Sequence, residues 1–267
     1  MLRKGDLTQG GITGTLLHFT LPMMVGSFLQ QCYNIADTLI VGQCIGAGAL
    51  AAVGSAYTLM VFLISVLLGL AMGSGTVFSL HYGAGNHVAL RRSIFSSFVL
   101  IGIVTLILNV AVFIWLGPIL RLLQVPQDIY GMMRSYLWII FCGIVFTFIY
   151  NFYASLLRAV GDSVTPLWFL AVSVVLNIAL DLFFILQLDW GIQGAAAATV
   201  FAQGVAALGI IIYTYRRRPE LRWHHEDMCF DRTCLKEIAS FSTLTCVQQS
   251  VMNLGILMVQ GLSLIHI

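Results

Sequence analysis

Apolar residues run through this chain in long blocks, separated by short clusters of charge, glycine or proline. Six of the blocks predict helices over residues 18–41, 52–80, 93–116, 134–156, 166–186 and 193–215. A seventh begins near Glu237 and continues towards the C-terminus. Each complete block is long enough for a bilayer, which takes about 20 residues per helix. Backbone groups in hydrocarbon must bond within a helix or a closed barrel. Barrel strands alternate polar and apolar residues over about 10 positions, and these runs do not alternate. The expected fold class is all-α, a polytopic transmembrane helical bundle.

The polar residues inside the blocks are few and ordered. The first block holds Gln30, Tyr33, Asn34 and Asp37 at steps of three or four, which places them on one helical face. The fifth holds Ser173, Asn177 and Asp181 at i, i+4 spacing. The sixth adds Thr199 and Gln203, and the fourth Thr147, Asn151 and Ser155. Polar stripes of this kind are tolerable if they converge on an internal cavity and costly if they face lipid. Hydroxyls and amides can be explained by interhelical hydrogen bonds, usually worth under ~2 kcal/mol each. Asp37 and Asp181 cannot, because a carboxylate at mid-membrane costs at least ~2.5–3.5 kcal/mol. Every lysine and arginine falls in a loop or at a block end, so no fixed cation is expected beside them. Such a carboxyl group takes up a proton or binds a cation, and Asp, Asn and Thr supply the oxygen ligands hard cations prefer. Pro22, early in the first block, removes a helical hydrogen bond and predicts a bend.

Composition agrees with lipid burial. Hydrophobic residues make up 59% and charged residues 9%, against roughly 25% charged in a soluble domain. Mean hydropathy is +0.94. Arg3, Lys4, Arg91, Arg92, Arg158, Arg216, Arg217, Arg218, Arg222, Arg232 and Lys236 fall on one side of the predicted bundle, with only Arg121 and Arg134 on the other. The positive-inside rule then puts the N-terminus in the cytoplasm. The basic loop after the sixth block reads as a topology signal and not as a nucleic-acid site, and no cleavable signal peptide is expected. Cys32, Cys142 and Cys246 lie in apolar runs, where cysteine behaves as a small hydrophobe. His224, His225, Cys229 and Cys234 share a loop without zinc-ligand spacing, so no metal site is expected.

The blocks divide into a six-helix unit, 1–215, a charged loop, 216–236, and a further helix, 237–267. Gln248 and Gln249 stand in the last helix much as Gln30 and Gln31 stand in the first, as in a protein built from two related halves. The run 261–267 ends in mid-helix, so a longer protein with a second lobe is expected.

The stretches Met24 to Gly26, Gln30 to Thr38 and Gly46 to Gly54 resemble the first helix of MATE (multidrug and toxic compound extrusion) transporters and the segment after it. So do Tyr82-Gly83-Ala84-Gly85-Asn86, Leu157-Arg158-Ala159-Val160-Gly161-Asp162 with Pro166, and Leu176-Asn177-Ile178-Ala179-Leu180-Asp181. The resemblance implies twelve helices in two lobes, monomeric at full length, exporting small organic, often cationic compounds across the plasma membrane. It implies antiport against sodium ions or protons, with no other cofactor. In related members an N-lobe cation site uses residues that match Asp37, Asn177, Asp181 and Thr199. Gln30, Tyr33, Asn34 and Asn151 fall at or near cavity positions, and Pro22 matches a proline where the first helix bends. The departure is length, because nearly all of the second lobe is absent.

Two other readings compete. A lipid-linked oligosaccharide flippase of the same wider superfamily would carry cavity arginines for a diphosphate, and none is predicted here. A membrane receptor or intramembrane enzyme is the other; the spans show no His-Glu metal motif, Gly-x-Ser-x-Gly or paired-aspartate protease sequence.

Overall fold

The computed structural model describes residues 12–122, 125–223, 227 and 232–266. Eight α-helices occupy nearly all of them: α1 Ile12–Cys44, α2 Ala47–Gly83, α3 His87–Leu122, α4 Gln127–Cys142, α5 Ile144–Ala159, α6 Val164–Leu182, α7 Gly191–Arg217 and α8 Arg232–His266. No strand occurs among the described residues. Four stretches, Ala47–Gly83, His87–Arg121, Val164–Gln187 and Gly191–Arg217, are long and apolar enough to cross a membrane. Helices α4 and α5 reach that length and apolarity only when taken together, as a pair bent by 47°. Helices α1 and α8, with 33 and 35 residues, match these in length but interrupt their apolar runs with polar positions.

The expected fourth helix, 134–156, is corrected by the structure. It is two helices that meet at Gly143 with a bend of 47°. Neither composition nor periodicity marks that break, since Gly143 sits in an unbroken apolar run. What glycine permits there is close packing: a Cβ at position 143 would lie 2.5 Å from Cγ2 of Val200 on α7. Helix α1 is continuous from residue 12 to 44 and carries Pro22 within it. Helix α6 runs into one π-helical turn, Phe183–Gln187, and a tight reversal through Asp189 and Gly191, both at positive φ.

Turns between helices follow local chemistry. After α5, Gly161 takes φ +85°, a conformation that favours glycine. Asp162 then caps the start of α6, accepting from the Thr165 backbone N–H at 3.0 Å and from the Thr165 hydroxyl at 2.9 Å. Arg218, at the end of α7, reaches the same carboxylate at 3.6 Å, so one acidic residue ties two helix ends together.

The interior is built on small residues and aromatic rings. Helix α7 buries Gly194, Ala195, Ala196, Ala198, Ala202, Gly204, Ala206 and Ala207, which lets α4, α5 and α6 approach it closely, as small residues do in membrane bundles. Phe78, Phe98, Phe148 and Phe152 stack in a cluster with ring centroids 5.3–6.0 Å apart. Large apolar side chains also point outward: Phe28 on α1, Ile114 and Trp115 on α3, Trp168 and Val175 on α6, and Leu208 on α7. A contiguous exposed apolar surface of this extent is what lipid covers.

Helix α8 lies along α2 at close range. A Cβ at Gly69 would fall 2.5 Å from Cα of Cys246, and one at Gly73 would fall 2.4 Å from Cα of Ser242. The Ser242 hydroxyl donates to the Leu70 carbonyl and the Cys246 thiol to the Val66 carbonyl, each at 3.2 Å. His81 and Glu237 approach to 3.7 Å further along the same pair.

Candidate functional site

Helices α1, α6 and α7 bring their polar stripes together. Gln30 and Tyr33 of α1, Ser173 and Asn177 of α6, and Thr199 and Gln203 of α7 line a small cleft, with Leu170, Val174 and Ala202 as its apolar walls. The Tyr33 phenol and the Thr199 hydroxyl share a hydrogen bond of 3.2 Å, which joins α1 to α7. With its amide turned so that nitrogen faces Asp181, Asn177 donates to Oδ2 of that residue at 2.9 Å. Its oxygen then accepts from the Thr199 backbone N–H at 3.2 Å.

Above this layer sit the two acids. Asp37 is 7% exposed and Asp181 is fully buried. Their carboxyl groups lie within hydrogen-bonding reach of each other, and the Oδ1 atom of each is buried with no partner. Neither makes a salt bridge among the described residues; the arginines that do, Arg91 and Arg218, pair with Asp227, Asp162 and Glu220 elsewhere. Two carboxyl groups this close, away from bulk water, need a proton between them or a cation to hold them. Carboxylate, amide and hydroxyl oxygens together form a hard donor set suited to such a cation.

The structure therefore gathers Asp37, Asn177, Asp181, Thr199, Tyr33 and Gln30 in one region. It does not gather Asn34 or Asn151. Asn34 donates to Gln31 on its own helix at 3.0 Å, and Asn151 donates to the Thr147 carbonyl one turn back at 2.8 Å. Pro22 lies four turns from Asp37 along α1 and lines no part of the cleft. Ser155, read as structural, donates to the Ala71 carbonyl on α2 at 2.7 Å.

One neighbour was missed. Tyr136 of α4 is buried, and its ring lies near enough to Asp37, Tyr33 and Asp181 for their charges to act on its phenol. A tyrosine within an apolar run carries no periodic signal of its own, so nothing in the spacing singled it out. Among the described residues no group of three or more His, Cys, Asp and Glu side chains is placed to hold a metal ion. The described cysteines, including Cys234, form no disulfide. Arg3, Lys4, His224, His225 and Cys229 lie outside the described residues.

A bundle of apolar helices enclosing an acidic, hydroxyl-lined interior defines a multi-pass membrane protein. Comparison with known proteins makes the assignment specific. The MatE family model matches residues 22–183, and the chain belongs to that family. It is 36% identical over 217 residues to a Bacillus subtilis protein named probable multidrug resistance protein YpnP, covering 81% of this chain and 49% of that one. It is 31% identical over 210 residues to the multidrug export protein MepA of Staphylococcus saprophyticus, covering 76% and 45%. A MATE family transporter of the MOP superfamily, solved in an outward-facing conformation, superposes with a TM-score of 0.89 at 23% identity, over 96% of this chain and 57% of that one. At that identity the likeness is one of fold. The chain spans about half the length of the curated relatives it matches.

Proposed function

We propose that this chain is the N-terminal lobe, with the first helix of the second lobe, of an efflux transporter that exports organic, often cationic compounds. The coupling ion, sodium or a proton, enters as the compound leaves. The observation that carries this reading is the facing pair of buried carboxyl groups, each with an unpartnered oxygen and neither paired with a basic residue. The names of the relatives, multidrug resistance and multidrug export proteins, point the same way. The bilayer is the plasma membrane, with the N-terminus cytoplasmic, as the distribution of basic residues argues. The protein does its work by binding and conformational change, without enzymatic chemistry.

Coupling follows from competition. With Asp37 and Asp181 ionised, the lobe attracts a cationic compound and the coupling ion alike. An ion held by these carboxylates with Asn177 and Thr199 removes the charge that retained the compound. It also draws α1, α6 and α7 together through the contacts they share. A ligand shifts such an equilibrium only by its differential affinity for the two states, and here the difference is the charge on the pair.

The test is ethidium or norfloxacin efflux from vesicles containing the full-length protein, with and without an inward sodium or proton gradient. Asp37→Asn should abolish gradient-driven export while the protein is expressed at the wild-type level. Export by that variant at the wild-type rate would remove the coupling role.

A further inference from the structure

The broken span is held from two sides. Where α4 meets α5 at 47°, α7 presses so closely that a Cβ on residue 143 would lie 2.5 and 2.6 Å from the two methyl groups of Val200 and 3.0 Å from its Cβ. Opposite, the buried Asn109 of α3 donates from Nδ2 to the Phe141 carbonyl at 3.0 Å, two residues before the break. An amide deep in a membrane helix is tolerated when it finds a hydrogen-bonding partner, and here that partner is a backbone carbonyl beside the break.

Both sides of the Gly143–Val200 contact lead towards the acid pair. Val200 follows directly on Thr199, whose hydroxyl joins α1 to α7. Tyr136 precedes Gly143 by two turns and so stands on the same face of α4. Two turns extend about 10 Å, so a change of about 10° in the bend moves Tyr136 by about 2 Å. A binding constellation must be held to within about 0.5 Å.

We propose that Asn109, Gly143 and Val200 act as a positioning device that sets the angle of α4 against α7, and so sets how Tyr136 and Thr199 stand relative to Asp37 and Asp181. This rests on the reading of that pair as the cation site. None of the three residues touches the ion; they act through the bend. Glycine at 143 is the one residue that lets Val200 seat in the elbow, and the Asn109 amide keeps the elbow from straightening.

The test uses the full-length protein purified in detergent, with ethidium binding followed by fluorescence and displaced by added Na+ or, separately, by lowered pH. Gly143→Ala should raise the half-displacing cation concentration roughly tenfold or more, as loss of outer support does at ion sites. Adding Val200→Ala, which removes both clashing methyls, should bring it back to within about threefold of wild type. Asn109→Leu should shift displacement in the same direction as Gly143→Ala.

A folded Gly143→Ala protein that titrates like wild type overturns the proposal. So does a weakened one that Val200→Ala fails to restore, because the fault then lies elsewhere than the elbow contact. If Gly143→Ala does not fold, wild-type displacement by Asn109→Leu overturns it in the same way. Wild-type protein whose ethidium is displaced by neither Na+ nor acid sinks the cation-site reading itself, and the positioning claim with it. Wild-type displacement with unaltered variants sinks the positioning claim alone.

Discussion

Alanine in place of Gly73 and alanine in place of Gly54 are the same chemical change within one helix, yet the packing of α8 on α2 requires opposite results. Both substitutions gain the helix preference of alanine, roughly 0.8–1.0 kcal/mol. At Gly54 a new methyl meets no atom within 4 Å, so that gain stands alone. At Gly73 the methyl would lie 2.4 Å from Cα and 2.6 Å from the backbone nitrogen of Ser242, where ordinary carbon contacts are about 3.5–4.0 Å. Backbone cannot swing aside as a side chain does, so α8 must retreat by about 1 Å or more. That stretches the Ser242 and Cys246 hydrogen bonds to α2 as well. Overpacking of this kind costs about 1–3 kcal/mol, and because the helix gain is common to both variants, the same figure separates them. Thermal midpoints read by size-exclusion chromatography in detergent should differ by roughly 2–10 °C, with Gly73→Ala the lower. Equal midpoints would refute the close seating of α8 on α2.

Two further outcomes follow from single contacts. Ser93 and Cys234 stand 3.0 Å apart, oxygen to sulfur, so Ser93→Cys should form a disulfide with Cys234 under mild oxidation. Fragments cleaved between α7 and α8 should then migrate together until reduced; separate migration would mean that α8 starts elsewhere than against α3. Tyr33→Phe deletes the bond to Thr199, worth about 0.5–1.5 kcal/mol, and should raise the ion concentration for half-maximal efflux roughly 2- to 10-fold. Thr199→Val combined with it should add little, since one bond cannot be lost twice; independent, additive losses would show that the two hydroxyls serve separate partners.

The one-dimensional pattern was enough for the class of fold and for most of the polar residues that the structure brings together. A carboxylate carries the same solvation cost wherever it falls in an apolar run, so Asp37 and Asp181 stood out before any helix was placed. Spacing of four put Asn177 on the face of Asp181. Shared faces also drew attention to Thr199, Gln30 and Tyr33. The same reasoning overreached with Asn34 and Asn151, because an amide can satisfy itself on its own helix, by Gln31 in one case and the Thr147 carbonyl in the other. Spacing cannot say which way it turns.

Tertiary packing alone decided the rest. That Asp37 and Asp181 face each other depends on how α1 packs on α6, and that Tyr136 comes within range of their charges depends on how α4 packs in the same bundle. Gly143 reads as one more small residue in a hydrophobic run, and only the seating of Val200, 57 positions further along the chain, shows that a side chain there would clash. Periodicity reports which residues share a face of one helix, since 3.6 residues per turn is a local rule. Which faces meet, and at what angle, is settled where side chains from distant segments compete for the same space.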